Sequence, residues 1–153
     1  MIKPKHKKPQ FMWDEKTGVA VCILQGEYGT FSGEASCHPD DQDMMSEKVG
    51  CEIAYSRAMI ESLLHIKNNI IKPSLGSLKQ LQYSMKHSKK FNKKSYEAKM
   101  LYRQINLLEN NLNTVKQDIV ELKQKLTNYI EQKDLDHKAI KEFRAKKQLV
   151  ENN

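Results

Sequence analysis

A hydrophobic seam over residues 101–143 constrains how this chain can fold more than any other feature. Apolar side chains recur there at alternating steps of three and four residues, a repeat of about 3.5 residues. A stripe with this repeat keeps facing a partner only when two or more helices wind around each other as a left-handed coiled coil. The seam consists of two series: Leu101, Leu108, Val115, Leu122, Tyr129, Asp136 and Phe143, and Ile105, Leu112, Ile119, Leu126, Lys133 and Ile140.

The seam predicts a long helix that needs a partner. Ser95 can cap this helix, and with no proline or glycine beyond Gly76 the helix should continue to about Val150. At ~1.5 Å per residue it would measure roughly 80 Å, and the short remainder of the chain predicts that a second copy covers it. The oligomerisation contacts are assigned to Ile105, Leu108, Leu112, Val115, Ile119, Leu122 and Leu126.

The charges beside the seam do not encode the orientation of the partner helix. Asp118 and Lys123 form the only clear pair of opposite charges at flanking positions. An antiparallel fold-back against residues 47–85 therefore fits the sequence as well as an intermolecular zipper. Lys133 and Asp136 interrupt the seam, so we expect its packing to loosen near residue 130.

Residues 10–72 predict a small head of mixed α and β structure. Apolar runs at 11–13 and 19–24 flank a polar turn that ends at Gly18, a pattern typical of a β-hairpin. A looser alternation over 28–37 predicts a third strand. The expected fold class is α+β, with an N-terminal three-stranded antiparallel β-meander followed by long α-helices that form a helical hairpin or coiled coil.

A helix should follow the sheet and end near Lys72. Asp43 or Ser46 can cap its start, and Pro73 is expected to interrupt it. The chain then divides into four segments, which are a disordered basic arm (1–9), the β-sheet plus helix head (10–72), a basic connector (73–94) and the long coiled-coil helix (95–153).

The chain carries an excess of positive charge. Lysine and arginine number 26 against 19 acidic residues, which gives a formal net charge of +7 and favours nucleic acid, nucleotides or acidic lipid as partners. The apolar run 19–24 is too short to cross a membrane. Three cysteines are an odd number and argue against a disulfide framework. We therefore expect a cytoplasmic protein without a membrane segment.

No cluster of polar residues in the sequence matches a metal or catalytic site. Cys37, His38 and Cys51 lack the closely paired spacing of zinc ligands. A calcium-binding loop starting at Asp41 would place Ser46 where the sharp turn requires glycine. Cys37 and His38 are neighbours at a strand end and point to opposite faces, which prevents a nucleophile–base pair. We expect no metal, no cofactor and no catalytic residue.

Two groups of basic residues are candidates for contact with an anion. Arg57 and Arg103 lie on apolar helices, where each guanidinium needs either a local carboxylate or a ligand, and arginine suits planar phosphate recognition. A lysine-rich stretch with Phe91 available for stacking on a base forms either a phosphate-binding patch or a solvated helical corner. This basic patch consists of Lys86, Lys89, Lys90, Lys93 and Lys94.

One segment, residues 33–58, combines a strand that ends in small residues, a Pro-Asp-Asp loop and the start of a helix. Its sequence reads Gly33-Glu-Ala35-Ser-Cys37-His-Pro39-Asp40-Asp41-Gln-Asp43, followed by Gly50, Ile53-Ala54 and Arg57-Ala58. These motifs are similar to those of small proteins encoded by phages and prophages of Gram-positive bacteria. Among them the segment most resembles the Thoeris anti-defence proteins, which act as sponges for signals of the cyclic ADP-ribose type.

The resemblance implies a fold, an assembly and a site. Proteins of that family have an N-terminal antiparallel sheet and long paired helices, form multimers, and bind nucleotides at subunit interfaces without cleaving them. For this chain it implies a non-enzymatic homo-oligomer in the bacterial host cytoplasm that holds a small anionic nucleotide. Arg57 is the ligand-binding residue that the motif supports directly, and Arg103 and Asn111 are added from their positions on the second helix.

The long coiled coil departs from that family and leaves two other functions open. One alternative is a protein that binds nucleic acid or blocks a nuclease, as anti-CRISPR proteins do, through residues 86–94 and the N-terminal arm. The other is a structural phage protein in which the rod itself is the product.

Overall fold

The computed structural model of this chain describes residues 5–44, 46–88, 90 and 92–151, and the side chains of these residues other than 39, 40, 42 and 149–151. It confirms the expected α+β fold, in which a three-stranded sheet precedes long helices. The elements are β1 (Gln10–Asp14), β2 (Val19–Gly26), β3 (Gly29–Ser36), a 3-10 helix (Pro39–Met44), α1 (Glu47–His65), a π segment (Ile66–Ile71), α2 (Lys72–Lys86) and α3 (Tyr96–Glu151).

The sheet is the predicted antiparallel meander in the order β1-β2-β3. Alternate residues of β2, namely Ala20, Cys22 and Leu24, are fully buried beneath α1. The helix can lie this close because β3 carries Gly33 at the contact. A Cβ atom there would lie 2.1 Å from the carbonyl oxygen of Ala54, far inside an ordinary contact.

The helix after the sheet begins as predicted but does not end where the sequence suggested. The Ser46 hydroxyl caps α1 by accepting a hydrogen bond from the backbone N–H of Val49. Pro73 does not interrupt the helix, because it lies in the first turn of α2, directly after the π segment. In that wider turn the backbone N–H of Lys72 donates to the carbonyl oxygen of Lys67. The chain therefore stays helical through Pro73 and up to Lys86.

The long helix α3 begins after Ser95, whose hydroxyl accepts from the backbone N–H of Ala98, as the sequence predicted. It folds back antiparallel on the preceding helices and covers its seam within the same chain. Two apolar clusters form the contact. One joins Leu63, Ile66 and Ile71 to Val115 and Ile119, and the other joins Leu75 to Leu101 and Ile105.

This fold-back corrects the argument that too little chain remains to cover the seam. The run from α1 through α2 covers residues 47–86, which at ~1.5 Å per residue is roughly 60 Å long. It therefore matches most of α3. The residues assigned to oligomerisation lie inside one chain: Ile105, Val115 and Ile119 are buried, Leu108, Leu112 and Leu122 pack against them, and Leu126 lines a groove beside α1. Self-association itself stays a prediction.

Part of the predicted basic arm is attached to the sheet. The backbone N–H of Lys7 donates to the carbonyl oxygen of Gln25 at 2.8 Å, and His6 pairs with Gly26. The Nε2 atom of His6 also lies 3.1 Å from the hydroxyl of the fully buried Ser62. These contacts place residues 6 and 7 at the end of β2, while residues 1–4 lie outside the described part of the chain. No helix within the described ranges is long and apolar enough to span a membrane.

Candidate functional site

A cavity of about 210 Å³ lies where the sheet, α1 and the C-terminal half of α3 meet. We call it the junction cavity. Most of its lining comes from the segment between the end of β3 and the middle of α1, and the rest comes mainly from α3. The lining residues are Gly18, Ser36, Cys37, His38, Asp41, Met44, Ser46, Val49, Gly50, Ile53 and Arg57, together with Ile130, Lys133, Asp134 and His137.

Two ion pairs join the 3-10 helix to α3 at the edge of the junction cavity. Lys141 Nζ lies 2.6 Å from Asp41 Oδ1, and Arg144 NH1 lies 2.7 Å from Asp43 Oδ2. The hydrogen bond from Lys141 lowers the pKa of Asp41, so this carboxylate is ionised and its charge is matched by the lysine. The segment predicted as a Pro-Asp-Asp loop thereby connects the sheet to the C-terminal part of α3.

Arg57 reaches the junction cavity from α1. One of its guanidinium nitrogens donates to the backbone carbonyl oxygen of Glu34 on β3, and the side chain is otherwise exposed. The sequence left open whether its partner is a carboxylate or a ligand, and the structure gives it a neutral carbonyl instead. Because a guanidinium carries five N–H donors, Arg57 keeps both donors and positive charge for a ligand.

His137 brings an unsatisfied polar atom to the α3 side of the cavity. Its Nδ1 atom is enclosed and has no hydrogen-bond partner, one of two such side-chain atoms among the described residues. A second cavity of about 360 Å³ shares His137, His38, Asp41 and Asp134 with the first, so the two adjoin. Buried polar groups are usually paired, but this nitrogen has almost no accessible surface, so a ligand in the cavity could bond to it only after the imidazole ring turned.

Cys37 is held in an unreactive form. Burial raises the pKa of its thiol, and the carboxylates of Asp41 and Asp43 raise it further. The Sγ atom lies 3.4 Å from the carbonyl oxygen of Asp41, to which the thiol donates. A protonated thiol is a poor nucleophile. Within the described ranges, no three His, Cys, Asp or Glu side chains converge to hold a metal ion.

The structure does not bring the three predicted ligand residues together in one chain. Only Arg57 lines the junction cavity. Ile130 also lines it, and Arg103 precedes Ile130 by 27 residues of the same helix, which places the two about 40 Å apart along α3. Asn111 is nearly buried within the hairpin, nineteen residues from Ile130, or roughly 29 Å along the helix.

Sequence reasoning missed the contribution of α3 to the cavity. Lys133, Asp134 and His137 were not chosen as site residues, yet they form one wall. A signal was present, because Lys133 interrupts the seam at the point where the cavity opens. Lys133 lies 3.7 Å from Asp136 and 5.4 Å from the ring centre of Tyr129, so its charge is only loosely neutralised.

The basic patch lies at the opposite end of the molecule, at the turn between α2 and α3. Lys86, Lys90, Lys93 and Lys94 are exposed there, and none of them forms an ion pair with the described residues. Lys89 and Phe91 lie outside the described part of the chain.

Comparison with known proteins adds no relative, since no protein-family model, no curated protein and no solved structure matches this chain.

Proposed function

We propose that this protein is a phage-encoded anti-defence protein that binds a cyclic nucleotide immune signal in the junction cavity and holds it without cleaving it. One observation carries the proposal. The segment 33–58, which resembles the Thoeris anti-defence proteins, supplies most of the lining of the junction cavity, and its one arginine, Arg57, lies there. The residues of the resemblance are therefore gathered around one concave site.

The charges in the junction cavity suit an anion. Arg57 and Lys133 contribute positive charge, and Lys141 neutralises Asp41, which leaves Asp134 as the acidic lining residue without an ion pair among the described side chains. Arginine binds phosphate through paired N–H groups, and such charge-assisted bonds are roughly twice as strong as neutral ones. His137 also lines the junction cavity, and its imidazole would have to turn to offer a hydrogen-bonding nitrogen to a base or a ribose hydroxyl.

The size of the junction cavity favours partial enclosure of such a ligand. Its volume of about 210 Å³ is below the ~300–1,000 Å³ typical of sites that bury a whole small molecule. The adjoining cavity extends the available space past His38 and His137. A nucleotide bound here would fill both spaces, with any remaining surface covered by a second copy, as the family resemblance implies.

The absence of cleavage in the proposal is supported by the state of Cys37. The raised pKa of its thiol keeps the sulfur protonated at neutral pH, whereas a thiolate is the form that attacks. A sequestering protein needs contacts complementary to the ligand, which Arg57 and Lys133 would supply here.

Ligand release after heating tests the proposal. Purified protein is incubated with candidate cyclic nucleotides, washed, heated and analysed by mass spectrometry, and we expect release of the intact compound. Bound ligand at about 100 times its Kd should stabilise the fold by ~2.7 kcal/mol and raise Tm by roughly 5–10 °C. Release of a hydrolysed product, or of no nucleotide at all, would contradict the proposal.

A matched pair of arginine variants locates the site. Arg57→Ala should weaken binding by about 10–100-fold, since a hydrogen bond to a charged group contributes ~1.5–3 kcal/mol. Arg103→Ala removes the same charge about 40 Å away and should leave affinity within about twofold. Thermal unfolding of both variants without ligand checks that they fold. Equal loss of affinity in the two would show that the junction cavity is not the site.

A further inference from the structure

The largest local excess of positive charge in this protein lies at one end of the helical hairpin. Residues 83–103, which we call the basic end, contain seven basic residues and one acidic residue, Glu97. This segment therefore carries six of the seven net positive charges of the whole chain. The remaining residues sum to about +1, because two smaller basic segments, residues 1–9 and 138–147, are offset by acidic residues elsewhere. The α2–α3 turn is thus the largest of three basic segments.

Aromatic rings accompany the charge on one face of the basic end. Tyr83 is 65% exposed and packs against His87, with ring centres 4.1 Å apart. Lys86 follows Tyr83 by three residues, on the same side of α2. Its Nζ atom lies 5.6 Å from the ring centre of Tyr102 on α3. Lys86 thus lies against Tyr102 and about one helical turn from Tyr83, and both tyrosines are exposed.

The lysines of the basic end are not neutralised within the described part of the chain. The nearest ion pair joins Lys79 to Glu109 at 2.6 Å, farther along the hairpin. Lys93 and Lys94 are exposed in the turn itself. Like charges gathered in this way repel one another, and a bound polyanion would relieve that repulsion while it releases its own counterions.

We propose that the basic end binds single-stranded nucleic acid, with phosphates on the lysines and bases stacked on Tyr83 and Tyr102. Lysine-rich grooves with exposed rings are the means by which proteins bind single strands with little sequence preference. A duplex keeps its bases stacked internally and cannot use the rings. The basic end lies about 40 Å from the junction cavity along α3, so this binding is independent of the proposed nucleotide site.

Fluorescence anisotropy with labelled oligonucleotides tests this inference on the full chain. We use an oligothymidine of about 20 nucleotides and a duplex of equal length, titrated at several salt concentrations between about 50 and 300 mM. The single strand should bind more tightly than the duplex, and its affinity should fall log-linearly with salt at a slope of about −0.7 per phosphate contacted. Equal or tighter duplex binding, or no binding at the lowest salt, would overturn it.

Two matched pairs of variants assign the contacts. The double variant Lys93→Glu with Lys94→Glu should lose more than tenfold in affinity and flatten the salt slope, whereas Lys116→Glu with Lys123→Glu, on exposed parts of α3, should lose less than about threefold at the same net charge. Equal losses would mean that net charge alone drives binding.

The second pair concerns stacking. Tyr83→Ala should weaken single-strand binding by about fivefold or more, because stacking on one ring contributes ~1–3 kcal/mol per base. Phe143→Ala is the control, since Phe143 is 70% exposed and lies 40 residues beyond Arg103 on α3, roughly 60 Å from the basic end. Unchanged binding by Tyr83→Ala would show that no base stacks on this ring. It would contradict the proposed preference for single strands.

Discussion

Replacement of Gly33 by alanine should destabilise this protein, whereas replacement of Gly76 by alanine should stabilise it. A Cβ atom at Gly33 would lie 2.1 Å from the carbonyl oxygen of Ala54 and 2.5 Å from the backbone nitrogen of Ala58. Both contacts are to backbone, which cannot rotate away. Ordinary contact begins at 3.4 Å, so α1 and β3 would have to separate by 1.3 Å (3.4 minus 2.1) at this point.

The magnitude follows from two opposing effects. Overpacking of a core contact costs ~1–3 kcal/mol, and rigid backbone neighbours place Gly33→Ala near the upper end of that range. Loss of glycine's flexibility in the unfolded chain returns ~0.4–1 kcal/mol. The net cost is about 2 kcal/mol, which for a chain of this size lowers Tm by roughly 4–8 °C.

Gly76 provides the control for this prediction. It lies in α2 with no atom within 4 Å of an added Cβ. Gly76→Ala should therefore stabilise the helix by ~0.5–1 kcal/mol. Urea unfolding followed by circular dichroism measures both variants. If Gly33→Ala proved as stable as Gly76→Ala, the close approach of α1 to the sheet would be refuted.

Two further predictions concern the fold-back of α3. Ile119→Ala should lower the free energy of unfolding by ~2–4 kcal/mol, whereas Val120→Ala should change it by less than ~0.5 kcal/mol, because Ile119 is 6% exposed and Val120 is 66% exposed. Similar small effects of both in a monomeric sample would contradict burial of the seam within one chain. Burial, and then the neighbouring Glu52 carboxylate, raises the pKa of Tyr129 to about 12 from 10.0. Folding thus favours the neutral phenol, so its contribution to stability is complete below pH 10 and is lost as the pH rises to about 12. In an alkaline titration of the free energy of unfolding, Tyr129→Phe should lack this loss between pH 10 and about 12.

The parts of the fold that depend only on residues adjacent in the sequence could be predicted from it. The turn at Gly18, the cap at Ser46 and the start of α3 after Ser95 all follow from local backbone chemistry. The partner of the seam could not be predicted in this way. A repeat identifies which side chains need cover, but an intermolecular helix and α1–α2 of the same chain satisfy it equally well.

The residues of the candidate site likewise fall into a group that the sequence could identify and a group that it could not. Arg57 was identifiable because it belongs to a local motif next to the sheet. Lys133 and His137 were not, because they reach the cavity only after α3 folds back across a separation of about 80 residues from Arg57. Arg103 and Asn111 were chosen for their place on α3 without knowledge of its register against α1, and the register moves them away from Arg57.

The π segment changes the direction in which the apolar face of the following helix points. The fully buried Ile66 and Ile71 are five residues apart, whereas inward-facing residues of an α-helix are separated by three or four. After Ile71 the ordinary steps resume, with Leu75 four residues later and Leu78 three residues after that. The wide turn thus absorbs one extra residue in the repeat. Without it, the apolar stripe of α2 would be rotated by about 100° and would no longer face α3.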